Sequence, residues 1–337
     1  MSIDRERILR AYSPRNASLD PWSPFSVGNG DFAFTCDATG LQTFPGLYDN
    51  EAIPLLTQSQ WGWHTTPYSE TEPAFPRARQ KWRLYDNGVR AVPYCTDPQD
   101  TLEGFDWLRR NPHRFNLGHI GFCRAEGLAP EDVGGLDQRL DLWDGVIESR
   151  FTVESETVEV RTAVLPRADA VALRVRGVPL RRGLGVSLRF PMPSPEKNGG
   201  DYGRDDQHRT CVTDEAAGRL ALLRQIDDTR YFVTVQGDFA RAERVAPHEF
   251  RLWAAGEALS LTVAFTQMPD ARLPEDPWAE IRAHWHDFWR RGGFVAIGGD
   301  APERRELQRR IVLSQYLTAI QCAGAYPPAE TGLTFNS

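Results

Sequence analysis

Along most of the chain, apolar and polar residues alternate with a period of two, the spacing that puts successive side chains on opposite faces of a strand. Phe32, Phe34 and Cys36 alternate with small or polar neighbours ahead of a Thr39-Gly40 turn. Residues 146–153 and 157–164 read as a hairpin around Glu154-Ser155-Glu156, with Val158, Val160, Thr162 and Val164 on one face. Val171, Leu173 and Val175 follow, then Val186, Leu188 and Phe190. Strands are also predicted at 219–226, at 230–236 with Tyr231, Val233 and Val235, and at 249–254. The clearest alternation is at 258–266, where Leu259, Leu261, Val263 and Phe265 are interleaved with Ser260, Thr262 and Ala264. Short strands joined by Gly, Pro and Asp turns, with no helix between them, predict a mainly β chain built as a large antiparallel sandwich.

Two regions depart from that period. Residues 45–145 are rich in proline and aromatics and hold one short helical candidate, about 101–110. They predict long loops that shape a site. From 276 the period becomes helical: Asp276 caps, Pro277 takes the first position, Trp278, Ile281, Trp285 and Trp289 form a stripe, and Gly292-Gly293 ends it. A short strand is predicted at 294–297. A second helix is predicted over 303–323, with Asp300 as cap, Pro302 in the first turn and Glu303 at the positive end of the dipole.

Leu307, Ile311, Tyr316 and Ile320 recur along that helix, while Val312, Leu313, Leu317 and Ala319 widen its apolar surface. A helix apolar on most sides needs neighbours on most sides, and no charged residue lies between Ile311 and Ala329. The pattern therefore predicts three parts: a sandwich over 1–270 with long loops at 45–145, a helical linker over 271–302, and the start of a second, truncated domain over 303–337. It further predicts that the second helix exposes an apolar patch, and that deleting 303–337 improves solubility.

Composition narrows the function classes. A formal charge of -7 without a Lys/Arg block argues against nucleic acid and against an anionic membrane as partners. The N-terminal MSIDRERILR lacks the apolar run of a signal peptide, and 311–329 is too polar to span a bilayer. The five cysteines, at 36, 95, 123, 211 and 322, form no CxxC. They predict reduced thiols, a cytoplasmic location and no zinc site.

Few residues offer themselves for chemistry. Gly28-Asn29-Gly30 lacks the third glycine and the following helix of a dinucleotide loop, and predicts a tight turn before a strand. Trp61-Gly62-Trp63-His64 places two indoles and an imidazole in one loop, a composition suited to stacking on the C–H faces of sugar rings or to plugging the core. Arg109, Arg110, His113 and Arg114 supply a cluster of donors for substrate hydroxyls, or for structural pairs. Of the acids, Asp205/Asp206 and Asp227/Asp228 occupy expected turn positions, as does Asp144 of the Asp141/Asp144 pair. Glu330 stands alone in a neutral run. His284 and His286 are two apart on a helix and point to different faces, so no metal or other cofactor is predicted.

The Gly28-Asn29-Gly30 turn feeding a strand, the β-rich body, the linker with Trp285 and Phe288-Trp289, and the run from Glu306 to Tyr316 resemble the N-terminal part of a six-hairpin glycosidase. In layout the chain is similar to family 65 of the glycoside hydrolases. The resemblance implies a sandwich of galactose-mutarotase-like architecture packed against an (α/α) barrel of six helical hairpins. Helix 303–323 would be the first barrel helix, and 327–333 a loop toward the catalytic face. In that family the general acid, a Glu, comes from a barrel loop beyond the counterpart of Ser337, so no catalytic residue carries over.

Sandwich loops approach the barrel mouth, which makes Trp61, Trp63, His64, His113 and Arg114, together with Glu330, candidates for substrate binding. The implied activity is inverting cleavage of a glycosidic bond in an oligosaccharide or glycoside, with water or phosphate as acceptor. The 337 residues alone are then expected to be inactive. Two rival readings are a non-catalytic carbohydrate-binding sandwich, working through the Trp61/Trp63 loop, and a mutarotase-like epimerase. The second needs a His/Glu pair, and His64, His113, His119, His208 and His248 are its candidates, none of them paired by the sequence.

Overall fold

The computed structural model describes residues 3–48, 51–67, 83–94, 107, 110–269, 271–299, 301–327 and 332–334. Its framework is a nine-stranded sheet running, edge to edge, Arg15–Asn16, Val133–Asp141, Val146–Val153, Glu156–Val164, Ala170–Arg176, Ala258–Thr266, Thr229–Gly237, Arg219–Ile226 and Arg209–Ala216. Every neighbouring pair is antiparallel. Against it lie a four-stranded sheet (Phe239–Ala246, Glu249–Ala254, Gly185–Arg189, His119–Cys123) and a three-stranded one (Phe25–Gly28, Phe32–Cys36, Thr57–Ser59). Phe122 meets Phe151 edge-on at 5.4 Å, and Phe32 stacks on Phe265 at 5.8 Å, so aromatic rings join the layers. The fold is mainly antiparallel β, a sandwich followed by two long helices, as its alternation predicts.

The hairpin at 154–156 forms because Glu154 and Ser155 both adopt positive φ, 53° and 67°. That geometry matches the twist of the two strands. Most predicted strands fall within a residue or two of their observed bounds. Within the described part of 45–145, Thr57–Ser59, His119–Cys123 and Val133–Asp141 join the sheets, where the sequence predicts loops. Val133–Asp141 carries two glycines and a bulge between Gly134 and Asp137, and this breaks the alternation that sequence reading depends on. The helical candidate at 101–110 falls largely outside the described residues.

The linker helix, Pro277–Arg291, is built as its sequence predicts. Asp276 accepts from the backbone of Trp278 and Ala279, and Trp278, Ile281, Trp285 and Trp289 are buried. Trp289 Nε1 donates to the Leu142 carbonyl at 2.6 Å, which ties the helix to the sandwich. Gly145, at φ +66°, leaves room for the Trp285 indole, which a Cβ there would meet at 1.9 Å.

The strand predicted at 294–297 does not form. The side chain of Gln308 takes the place of a strand partner, donating to the Val295 carbonyl (3.0 Å) and accepting from the Ile297 amide (2.7 Å). The C-terminal helix spans Pro302–Gln321 with Ala301 at its N-cap and no side-chain cap bond; Asp300 lies outside the described residues.

The C-terminal helix buries one stripe, Gln308, Val312, Tyr316 and Ile320, at a strict spacing of four. Of the stripe predicted from the sequence, Leu307, Ile311, Tyr316 and Ile320, the last two are buried, whereas Leu307 is 52% exposed and Ile311 is only half-buried. Tyr316 stacks on Trp285 at 4.8 Å and donates to the Ser26 carbonyl at 3.1 Å. The Gly30 amide donates to the Ile320 carbonyl, and a Cβ on Gly28 would meet that oxygen at 2.6 Å. The Gly28-Asn29-Gly30 turn thus does more than reverse the chain: it lets this helix approach the sheet backbone. Among the described residues no helix is long and apolar enough to cross a membrane, and Cys36, Cys123, Cys211 and Cys322 are free thiols.

Candidate functional site

A two-stranded ribbon, Trp63–His64 against His113–Arg114, brings the sequence-predicted residues together. Trp63 pairs with Arg114 and His64 with His113. Because side chains alternate, Trp63 and Arg114 occupy one face and the two histidines the other. The ribbon is held at its open end by Asn111, whose Oδ1 accepts from the Thr66 amide (2.7 Å) while its Nδ2 donates to the Trp107 carbonyl (2.9 Å). Glu330 lies outside the described residues.

On the first face Trp63 is 44% exposed, and the Arg114 guanidinium sits 4.7 Å from its ring centroid. Arg114 is itself buried. It donates to Gln60 Oε1 (3.2 Å) and to the Ser59 carbonyl (3.4 Å), while its Nε has no partner. Burial holds its pKa below the usual arginine value. Gln60 donates onward to the Tyr326 carbonyl at 3.2 Å, which connects the ribbon to the segment after the C-terminal helix.

Trp61 has a different role. It is half-buried, its ring lies 5.9 Å from that of Tyr231, and its Nε1 donates to Asp169 Oδ2 at 2.7 Å. Ser59 Oγ donates to the same oxygen. Burial pushes the Asp169 carboxyl up to about 6, against the opposing effect of those two bonds.

On the second face a chain of hydrogen bonds runs inward from the surface. Asp227 Oδ2 lies 2.9 Å from His64 Nε2, His64 Nδ1 lies 3.3 Å from His113 Nε2, and His113 Nδ1 lies 2.9 Å from the Arg110 carbonyl. Both imidazoles are buried, while the Asp227 side chain keeps 30% exposure. Burial lowers the His113 pKa; the Arg110 carbonyl opposes that shift and His64 adds to it. Asp227 lines a cavity of about 750 Å³ together with Thr66, Arg110, Met192, Arg204 and Gln207.

Asp227 was missed by sequence reading because it occupies a turn, with φ 47°, where an aspartate is expected anyway. It is 163 positions from His64, so no local spacing could signal the pair. Asp169 and Gln60 were missed for the same reason of distance.

The other acids are structural. Asp141 accepts from Arg10 and from the backbone of Trp143 and Asp144, and Asp144 meets His286 Nε2 at 2.8 Å.

Asp205, His208 and His248 approach closely enough to suggest a metal centre, but their donor set does not fit one. The fully buried Arg224 donates to His208 Nδ1 (2.7 Å) and to Thr210 Oγ1 (2.6 Å), and Thr210 in turn meets His248 Nδ1 at 2.6 Å. Arginine can only donate, so His208 Nδ1 accepts and the ring proton of neutral His208 is on Nε2. His248 Nε2 faces the Asp205 carbonyl at 2.9 Å and donates to it. Both rings thus have their lone pairs engaged, and a guanidinium lies beside them. The cluster is a buried brace around Arg224.

No known family model matches the chain, and no curated protein matches it either. Among solved structures it is similar to one named "Putative kojibiose phosphorylase from human microbiome". That likeness covers 90% of this chain and 38% of the other, at 9% identity and a TM-score of 0.45. The chain therefore spans well under half the length of that protein. A likeness at this level carries neither family nor chemistry.

Proposed function

We propose that the chain is the β-sandwich portion of a carbohydrate-active enzyme, and that the Trp63 face of the ribbon is where it meets a sugar. The observation behind this reading is the exposed Trp63 indole, held by a buried Arg114 that also bonds the Gln60 amide. An indole supplies a flat apolar surface for pyranose C–H groups, and the Gln60 amide beside it supplies polar contacts for hydroxyls. The parent activity would be inverting cleavage of a glycosidic bond, with water or phosphate attacking the face opposite a protonating Glu. No residue described here is assigned that acid role. On this reading the C-terminal helix begins an (α/α) barrel, and its half-exposed side is the contact to it.

A titration of the full chain with neutral oligosaccharides, followed by tryptophan fluorescence, tests the proposal. A saturable change in tryptophan emission is expected in the micromolar to millimolar range, with Trp63→Ala losing most of it. Trp61→Ala should instead lower stability, because its indole is tied to Asp169. An unchanged emission response in Trp63→Ala, or no response in the parent chain, would refute the reading. A non-catalytic binding module would show the same binding, and the two part on whether the parent protein turns over glycosides.

A further inference from the structure

The opposite face of the ribbon carries a second site, which does not depend on the reading of Trp63. The Arg110 carbonyl can only accept, so His113 Nδ1 carries a proton. The contact between His113 Nε2 and His64 Nδ1 needs one proton between its two nitrogens. The contact between His64 Nε2 and Asp227 Oδ2 needs one more. Three hydrogen bonds therefore hold three protons, whereas two neutral imidazoles and a carboxylate bring two.

The extra proton leaves the trio with no net charge, the state that burial of both rings favours. It can be held as an imidazolium on either ring facing a carboxylate, or as a carboxylic acid on Asp227. Only the Asp227 end is open, and it opens into the cavity.

The cavity wall indicates what it admits. Its two cations already have partners: Arg110 lies 3.7 Å from Glu196, and Arg204 lies 2.8 Å from Asp201. The rest of the described lining includes Asp227, the neutral polar residues Thr66, Asn111, Ser194 and Gln207, and an apolar side with Met192 and Pro195. Among the described lining residues no unpaired cation awaits an anion.

We propose that this cavity is a binding site for a small, uncharged, polyhydroxylated ligand, with a ligand hydroxyl donating to Asp227 and the His64–His113 pair behind it storing the proton that Asp227 gives up. The hydroxyl bond favours the carboxylate form of Asp227. Ligand binding therefore draws the shared proton toward His64 Nε2, and no proton leaves the trio.

The test is long-range ¹H–¹⁵N NMR of the histidine side chains in the full chain, titrated with D-glucose, with maltose and, as a charged comparator, with glucose 1-phosphate. The His64 Nε2 resonance should move toward the protonated position with glucose or maltose and stay in place with the phosphate ester. Asp227→Asn should abolish that movement and weaken binding at least tenfold, while Trp63→Ala leaves both intact. The proposal fails if His64 and His113 are unmoved by all three probes, or if the phosphate ester gives the larger shift. It also fails if Trp63→Ala removes the response. The wild-type titration decides the matter even where Asp227→Asn does not fold.

Discussion

Arg224 shows how much a single buried residue can organise. It has no carboxylate partner among the described residues. Its guanidinium and Nε instead donate to the carbonyls of Arg209 and Pro191, to Thr210 and Tyr231, and to His208. Burial and then the Arg224 charge hold His208 at about 3, and elsewhere in the sandwich burial holds His119 at about 4. In the unfolded chain these rings titrate at about 6.5.

Below that value the unfolded state binds protons that the folded state refuses, so stability must fall as pH drops from about 6.5 toward 4. Asp37 and Asp169, both raised to about 6 by burial, act in the opposite sense within the same window. Five histidines have lowered values, at positions 113, 119, 208, 248 and 284, and outnumber those two acids. The melting temperature should therefore decline on acidification. A flat or rising profile would contradict this assignment.

At the scale of elements, the sequence was most legible where pattern and packing coincide. The strand Ala258–Thr266 and the linker helix follow their patterns, because one face of each is buried and the other is not. It was least legible where a side chain replaces backbone pairing, as Gln308 does for 295–297, or where glycine breaks the alternation, as in Val133–Asp141. The ribbon was half legible: Trp61-Gly62-Trp63-His64 stood out by composition, but its pairing with His113–Arg114 and the arrival of Asp227 depend on tertiary closure.

The Glu154-Ser155 turn was legible as a turn, and its strain only in the structure. Ser155 holds φ 67° without being glycine, at a cost of about 1 kcal/mol. Ser155→Gly should recover part of that, raising stability by roughly 0.5–1 kcal/mol in a denaturant titration. A loss of stability would show that the turn is not strained.

At the scale of the molecule, the C-terminal helix belongs to the same hydrophobic cluster as the sandwich, through Val312, Tyr316 and Ile320. The expectation that residues 303–337 could be removed to improve solubility does not suit that packing. Deletion strips Tyr316 from Trp285 and leaves Gly28 and the Ser26 carbonyl uncovered. Loss of these large side chains, at about 1.5–3 kcal/mol each, should lower stability and promote aggregation. Size-exclusion chromatography and thermal melts of the shortened chain beside the full one check this, and a shortened chain that is the more stable would reverse it. The outward side of the helix, with Leu307 exposed, keeps the apolar character that the sequence displays.

The central claim is that residues 61–64 present a sugar-facing indole on Trp63 while turning Trp61 inward. Indole ¹H–¹⁵N NMR of the full chain during titration with a neutral oligosaccharide reads it most directly. The account predicts that the Trp63 Nε1–H signal moves in a saturable way while those of Trp61, Trp285 and Trp289 hold still. Movement confined to other indoles, or no movement at saturating sugar, would contradict it.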